Sequence, residues 1–331
     1  MISNASTPLK KIFKIISQRK SAYLIKYSTT ITSSEIMKMI QLLKALQYYI
    51  NVPEVFNYNL EFKYIVLKDC GNTNLIFFKK NIQILISQIN LLNTTPKFAV
   101  KSYIKEMDIL EIFSRLEYAT RIFKIPLNRT ISDELLAFSL KIFKMKKCFL
   151  HGDVHLDNIT VFKNKIYFID FGLSRIGPYL YDIASILNDP KLKLNFYQKK
   201  YLIKKYVKVE NMEDFYLTEV FRNIFTLASY KELYEYTGSY KYKIYYDILL
   251  EFFKKDKLYT WMINAPYTSQ ALSSMNKSKY YRTDYFDLEY INYINKGSNY
   301  VIWNNNNSNN FESNFLQQAS FFLTSATPFF N

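Results

Sequence analysis

The sequence predicts an α+β chain: a small strand-rich unit at the N-terminus, then a larger and mostly helical remainder. Three observations carry that prediction. First, residues 8–28 read as a hairpin, with two runs rich in β-branched and aromatic residues, IFKIISQ and SAYLIKY, around the polar turn Gln18-Arg19-Lys20. Second, SSEIMKMIQLLKALQYY (33–49) sets Ile36, Met37, Ile40, Leu43 and Leu46 at helical spacing behind a capping Ser33 or Ser34, and Asn51-Val52-Pro53 stops it. Third, FKYIVLKDCGN (62–72) returns to strand and turns at Gly71, after which the apolar pattern is helical over 74–93, 97–146 and 180–257.

One strand-like stretch interrupts those helices: KKCFL, a polar loop, ITVFK, the turn Asn164-Lys165, and IYFID. From Ile294 the composition turns Asn/Ser-rich, which reads as a weakly ordered tail with Phe321-Phe322 as a docking element. The expected organisation is therefore a first lobe over 1–71, a helical lobe over 72–293, and a tail over 294–331.

Composition narrows the class. A chain of 331 residues, 49% hydrophobic and 18% aromatic, buries a sizeable core and is not a disordered protein. Its net charge of +16 would suit nucleic acid or phosphorylated ligands, but the lysines are scattered, with short runs only at Leu9–Lys14, Lys199–Lys208 and Lys254–Lys257. A solvated surface in a Lys-, Asn- and Ile-rich chain is the preferred reading, so no nucleic-acid partner is expected. Cys70 and Cys148 lack metal-ligand spacing and suit a reducing cytoplasm. The N-terminus lacks the pattern of a secretory signal, and no apolar run approaches the ~18 residues that span a bilayer. A cytoplasmic monomer is the expectation.

The chemistry is concentrated in FLHGDVHLDNITVFKNKIYFIDFGLSRIGPYLYDIAS (149–185), which holds both histidines and three of the six glycines. His151, Asp153 and Asn158 reproduce the H-x-D-x-x-x-x-N spacing of kinase catalytic loops. The spacing has a physical reason. A carboxylate must accept the proton of an attacking hydroxyl while an amide oxygen nearby holds Mg²⁺ against the phosphates, and one short loop can aim both. Asp170-Phe171-Gly172 then follows at a strand end, where Asp170 offers Mg²⁺ the hard oxygens it prefers. Asp153 is the expected catalytic base, Asn158 and Asp170 the expected metal ligands. His151 is expected to pack beneath the loop and bond its backbone, and Asp182 to reach back and hold the loop rather than merely cap its helix. Lys26 closes the second strand and Glu35 opens the helix, a spacing that permits the phosphate-gripping Lys–Glu pair of kinase-like folds.

HGDVHLDN followed by IDFGLSRIGPYLYDIAS resembles the aminoglycoside phosphotransferase/choline kinase-like superfamily. GPYLYDIASILNDP is similar to the bacterial kinases that phosphorylate N-acetylmuramate and N-acetylglucosamine at the anomeric hydroxyl. Patchy likeness extends over residues 3–245: NASTPLKKIFKI to that group's opening, YIVLKDCGN to its hinge, and FRNIFTLASYKELYEYTG to a late helix. The opening here departs from theirs at Pro8-Leu9-Lys10-Lys11.

The resemblance implies a two-lobed protein-kinase-like fold with ATP and Mg²⁺ as cofactors. It also implies a small-molecule hydroxyl acceptor, a sugar or amino sugar first. Backbone around Lys68, Asp69 and Cys70 would meet adenine, and Ser3–Thr7 would cover the phosphates. Choline, aminoglycosides and homoserine are alternative acceptors, and an ATP-binding pseudokinase is the alternative from another class.

Overall fold

The computed structural model describes residues 10–17 and 20–253. Ser3–Thr7 and the 294–331 tail with Phe321-Phe322 lie outside the described residues.

The first unit is a four-stranded antiparallel sheet and one helix. Strands β1 (Lys10–Ser17) and β2 (Lys20–Tyr27) form the hairpin, with Lys10 opposite Tyr27 and Lys14 opposite Tyr23. Helix α1 (Ser33–Leu46) follows, then β3 (Val55–Asn59) and β4 (Tyr64–Lys68), in sheet order β1-β2-β4-β3. The α1 N-cap is Thr32, one residue before the expected serines. Its side chain accepts from Glu35 N while the Glu35 carboxylate accepts from Thr32 N, a reciprocal capping box. Tyr27, Ile31, Ile36, Ile40 and Ile65 bury this face of the sheet against α1, each aliphatic side chain contributing roughly 1.5–3 kcal/mol. Strand β3 escapes the sequence pattern because VFNYN sits at the sheet edge with its middle three residues exposed.

Beyond Gly71 come α2 (Leu75–Lys80), α3 (Ile82–Asn93), α4 (Lys97–Val100), α5 (Ile109–Ile122) and α6 (Arg129–Lys144). Then follow β5 (Lys147–Leu150), β6 (Ile159–Phe162), β7 (Lys165–Phe168) and β8 (Arg175–Pro178). The β6–β7 hairpin turns at Lys163 and Asn164, both with positive φ, one residue earlier than the sequence suggested. The β8 segment, RIGP, reads as a breaker in sequence, yet it pairs antiparallel with β5 and is wholly buried. A Cβ at Gly177 would come 2.7 Å from Leu150 Cδ1, so a larger residue would have to push that buried side chain aside.

Helices α7 (Tyr181–Leu187), α8 (Phe196–Tyr206), α9 (Met212–Thr237) and α10 (Tyr240–Phe253) complete the described chain. Every residue of α7 is buried, which makes this short helix the floor on which the neighbouring loop rests. Cys70 and Cys148 are both free and buried; burial pushes the Cys70 thiol up to about 12. Among the described residues no helix is long and apolar enough to cross a membrane.

Candidate active site

Strand β5 ends at Leu150, and the chain enters a loop that closes at β6. Gly152 is the residue that lets it turn. Its φ is +80°, and a Cβ would fall inside contact distance of Leu173 O. The loop is held from below at three places. Asp182, in the first turn of α7, accepts from His151 N at 2.8 Å and Gly152 N at 3.0 Å. Ser185 Oγ donates to Val154 O at 2.7 Å, and Asp189 Oδ2 accepts from Leu156 N at 2.7 Å. Asp182 and Ser185, three apart, share one face of α7, and Asp189 follows just past its end, so the helical spacing was a signal that could have found Ser185. The sequence reading singled out Asp182 alone.

From above, the loop is tied to the turn after β7. Ile169 N donates to Asn158 O at 3.0 Å, and Ile169 O accepts from His151 Nε2 at 2.9 Å. His151 Nδ1 in turn accepts from Asp153 N at 3.3 Å, while the fully buried ring packs on Phe171 at 4.6 Å and Phe168 at 6.2 Å. Both ring nitrogens are thus engaged by backbone, with the proton on Nε2 because a carbonyl can only accept. The next residue, Asp170, has a left-handed backbone (φ 63°), an uncommon conformation for a non-glycine residue that clusters at functional sites.

These ties bring Asp153, Asn158 and Asp170 together. Asn158 Nδ2 donates to Asp153 O at 3.0 Å and to Asp153 Oδ2 at 2.9 Å, so its amide oxygen remains as an acceptor. Burial alone would raise the Asp153 pKa, but His155, His151 and Arg222 together hold the carboxyl well below its usual range. His155 Nε2 lies 3.4 Å from Asp153 Oδ2. Its own pKa is raised: burial opposes the charge, and Asp153 more than offsets that. Asp170 is likewise lowered, burial being outweighed by Lys10, while the nearby Asp153 charge pushes the other way. Asp182 is the contrast. Its pKa is raised, because complete burial exceeds the help from His151, the two backbone N–H groups and Asn93. Asp157 points away and pairs with Lys191.

The strand lysine requires a correction. Lys26 and Glu35 do not meet. Side chains alternate along a strand, and Tyr27 is the inward residue: it is 6% exposed and its hydroxyl donates to Met39 Sδ. Lys26 therefore faces the exposed side of the sheet, and the Glu35 carboxylate is spent on Thr32 N and Oγ1. The ammonium at the site comes from Lys10, directly across the hairpin from Tyr27, with Nζ 2.6 Å from Asp170 Oδ2. Lys14, on the same face of β1, pairs with Asp69 at 2.8 Å. Asp69 also accepts from Ser21 Oγ and Gly71 N, Lys68 pairs loosely with Glu54 at 3.7 Å, and Cys70 O accepts from Thr160 Oγ1. The 68–70 segment is thereby fixed where β4 joins the second unit.

Comparison with known proteins gives two findings. Residues 107–199 match the model of the phosphotransferase enzyme family, a span that includes Asp153, Asn158, Asp170 and Asp182. Among solved structures, a choline/ethanolamine kinase family protein from Mesorhizobium loti superimposes with a TM-score of 0.55 at 12% identity, covering 84% of this chain and 93% of that one. A GDP complex of an aminoglycoside 2'-phosphotransferase gives 0.54 at 16% identity over 78% and 91%. The choline kinase of Streptococcus pneumoniae gives 0.52 at 11% over 75% and 92%. No curated protein matches the sequence. The architecture is the two-lobed, protein-kinase-like fold of those enzymes: a small sheet-bearing lobe followed by a mostly helical one. In this kinase fold the Lys10–Asp170 pair joins the first strand of the small lobe to the turn that carries Asp170.

Proposed function

We propose that the protein transfers the γ-phosphoryl group of ATP to a hydroxyl of a small molecule, a sugar or amino sugar, acting as a cytoplasmic monomer. Residues 1–71 form its nucleotide-binding lobe and 72–293 carry the catalytic loop and the acceptor site. The observation that supports this reading is the convergence of Asp153, Asn158 and Asp170 on one loop pair whose backbone is pinned by Asp182 and His151.

Asp153 accepts the hydrogen bond of the acceptor hydroxyl and receives its proton as the oxygen attacks. Its low pKa suits this, since a loose phosphoryl-transfer transition state asks for orientation more than for a strong base. His155 keeps that carboxylate ionised and turned toward Asn158. The donor set fits Mg²⁺: a carboxylate from Asp170 and an amide oxygen from Asn158 are hard ligands, and the Lys10 ammonium already shows Asp170 holding a cation. Among the described residues there is no cluster of three His, Cys, Asp or Glu, which suits an ion held by one or two protein groups and by phosphates. Bound there, Mg²⁺ would neutralise charge on the phosphates. Lys10 lies beside that position to meet phosphate oxygens, and the 68–70 backbone lies at the junction of the lobes to meet the adenine ring.

The test is ATP consumption by purified full-length protein against sugars, amino sugars, choline and aminoglycosides. Turnover on a sugar is expected, with Asp153→Ala lowering kcat by ~10²–10⁴-fold without unfolding the protein. Retained turnover in Asp153→Ala refutes the base assignment, and ATP binding without turnover on the whole panel supports a pseudokinase.

A further inference from the structure

The positive charge of this chain is less evenly spread in space than along the sequence. Residues 71–105 hold five lysines and residues 190–209 seven, and neither stretch contains an Asp, Glu or Arg. The fold brings the two stretches together. Lys205 Nζ, near the end of α8, donates to Gln83 Oε1 of α3 at 2.6 Å, and Tyr206 OH donates to Gln83 O at 3.2 Å. The acids that border these stretches in sequence are already committed. Asp69 pairs with Lys14, Glu106 with Lys147, and Glu210 loosely with Lys208, while Asp189 accepts from the N–H groups of Leu156 and Lys191. Two of the lysines are spent on carboxylates within the fold, Lys191 on Asp157 and Lys199 on Glu219. What α2, α3 and α8 turn to solvent is cationic.

The same face exposes apolar side chains. On α8, Tyr197 and Lys200 recur one turn later as Tyr201 and Lys204, so tyrosine and lysine share the outer side of a helix whose Leu202 is buried. Tyr197 is 80% exposed. Next to Gln83, Ile84 is 52% exposed, and on α2 Ile76 is 69% exposed, one turn before the exposed Lys79 and Lys80. A single exposed isoleucine is ordinary. Isoleucine and tyrosine interleaved with lysine over three adjoining helices make a patch of the kind that marks an interaction site.

The chemistry of the patch fits an anionic bilayer better than a nucleic acid. A lysine meets a lipid headgroup as a point charge while its alkyl stem lies along apolar surface. Tyrosine favours the boundary between water and acyl chains, and isoleucine gains by entering it. A nucleic acid rewards neither exposed isoleucine, and both stretches lack the arginines that read bases and grip phosphates bidentately.

We propose that α2, α3 and α8 form a docking surface for a membrane rich in anionic lipid. Lys79, Lys80, Lys204 and Lys205 meet the headgroups, and Ile84 and Tyr201 reach the acyl boundary. The protein lies on such a membrane by this face. The proposal goes beyond phosphotransfer and does not depend on it.

The test is co-sedimentation of full-length protein with vesicles of phosphatidylcholine, alone or with ~30% phosphatidylserine. Binding to the anionic vesicles should be at least ~10-fold tighter and should weaken as KCl is raised. At about fivefold for each lysine near the surface, Lys79→Gln, Lys80→Gln, Lys204→Gln and Lys205→Gln combined should weaken it ~100-fold or more. Lys44→Gln, Lys124→Gln, Lys144→Gln and Lys165→Gln combined remove the same charge at exposed positions elsewhere, and should leave it within about fivefold. Ile84→Ser should cost ~5- to 10-fold, and Tyr201→Trp should show a blue-shifted emission on the anionic vesicles that wild type lacks.

The proposal is overturned if both vesicles bind equally or not at all, or if the second set of four substitutions costs as much as the first. It is also overturned if Ile84→Ser and Tyr201→Trp both report no insertion. Tighter binding to a single-stranded RNA oligonucleotide than to anionic vesicles, lost with the first set and indifferent to Ile84→Ser, gives the patch to nucleic acid. A concentration-dependent dimer in light scattering that the first set abolishes gives it to a second copy of the chain. Either result overturns the proposal. Should the first set not fold, Ile84→Ser and the salt dependence of wild type decide.

Discussion

Replacing Asp182 with asparagine isolates the scaffold beneath the catalytic loop. In the wild type one carboxylate oxygen accepts from Gly152 N, and the other accepts from His151 N and Asn93 Nδ2. Asparagine retains one oxygen. Placed to keep His151 and Asn93, it turns its NH₂ toward the Gly152 N–H, donor against donor, in a site with no exposure. The lost charge-assisted bond costs about 1.5–3 kcal/mol and the stranded donors about 1–3 kcal/mol more.

Part of this returns, because the raised pKa of Asp182 shows that burial already penalises its charge, and asparagine carries none. A net loss of about 2–3 kcal/mol follows. At about 2–4 °C per kcal/mol this lowers Tm by about 4–12 °C. Thermal unfolding by circular dichroism reads the shift, and kcat measured well below Tm reads the loop. A fall in both is expected, since Gly152 and His151 position Asp153. An unchanged Tm with kcat abolished would falsify the scaffold role and assign Asp182 to the chemistry.

Other expectations concern the two lysines and the His155–Asp153 pair. Lys10→Ala should raise KM for ATP ~10-fold or more, as loss of a charged phosphate contact does, while Lys26→Ala should leave it within twofold; the reverse result restores the strand-end lysine to the site. Because the His155 pKa is raised above 6.5, its protonated form stabilises the fold in full below pH 6.5, and that contribution fades as pH rises through the folded value. The Asp153 pKa is lowered from 3.8, so its contribution is present above pH 3.8 and fades as pH falls through the folded value. The Tm difference between wild type and His155→Gln should therefore be greatest between pH 3.8 and 6.5 and shrink on either side; a difference independent of pH excludes the ionic pairing.

What the sequence disclosed and what it hid follow from how locally each feature is encoded. Asp153, Asn158 and Asp170 are legible because one loop and one strand end carry them, at spacings that backbone geometry dictates. The Lys26–Glu35 pair that the spacing permits is not formed, for a reason of parity: a strand gives two faces, and only the burial of Tyr27 shows which one turns inward. Lys10 could not be recognised without the cross-strand register that sets it opposite Tyr27. Strand β8 was hidden because Gly177 and Pro178 are breakers in isolation and are tolerated here through pairing on β5. Arg222 carries no local signal, since α9 is buried over most of its middle and has no clean apolar stripe to make a lone arginine conspicuous.

The contact between Lys10 and Asp170 has a consequence for how the cleft fills. A carboxylate that already holds an ammonium would present the phosphates of the proposed nucleotide with less repulsion than a bare one. Were a divalent ion held by Asp170, as proposed, it would replace one cation with another there, and Lys10 would remain nearby for the phosphates of the proposed nucleotide. The cleft thus need never hold a bare carboxylate against a bare polyphosphate. By that exchange the first strand of the small lobe would take part in the proposed reaction, although its sequence, KKIFKIIS, offers nothing but a hairpin.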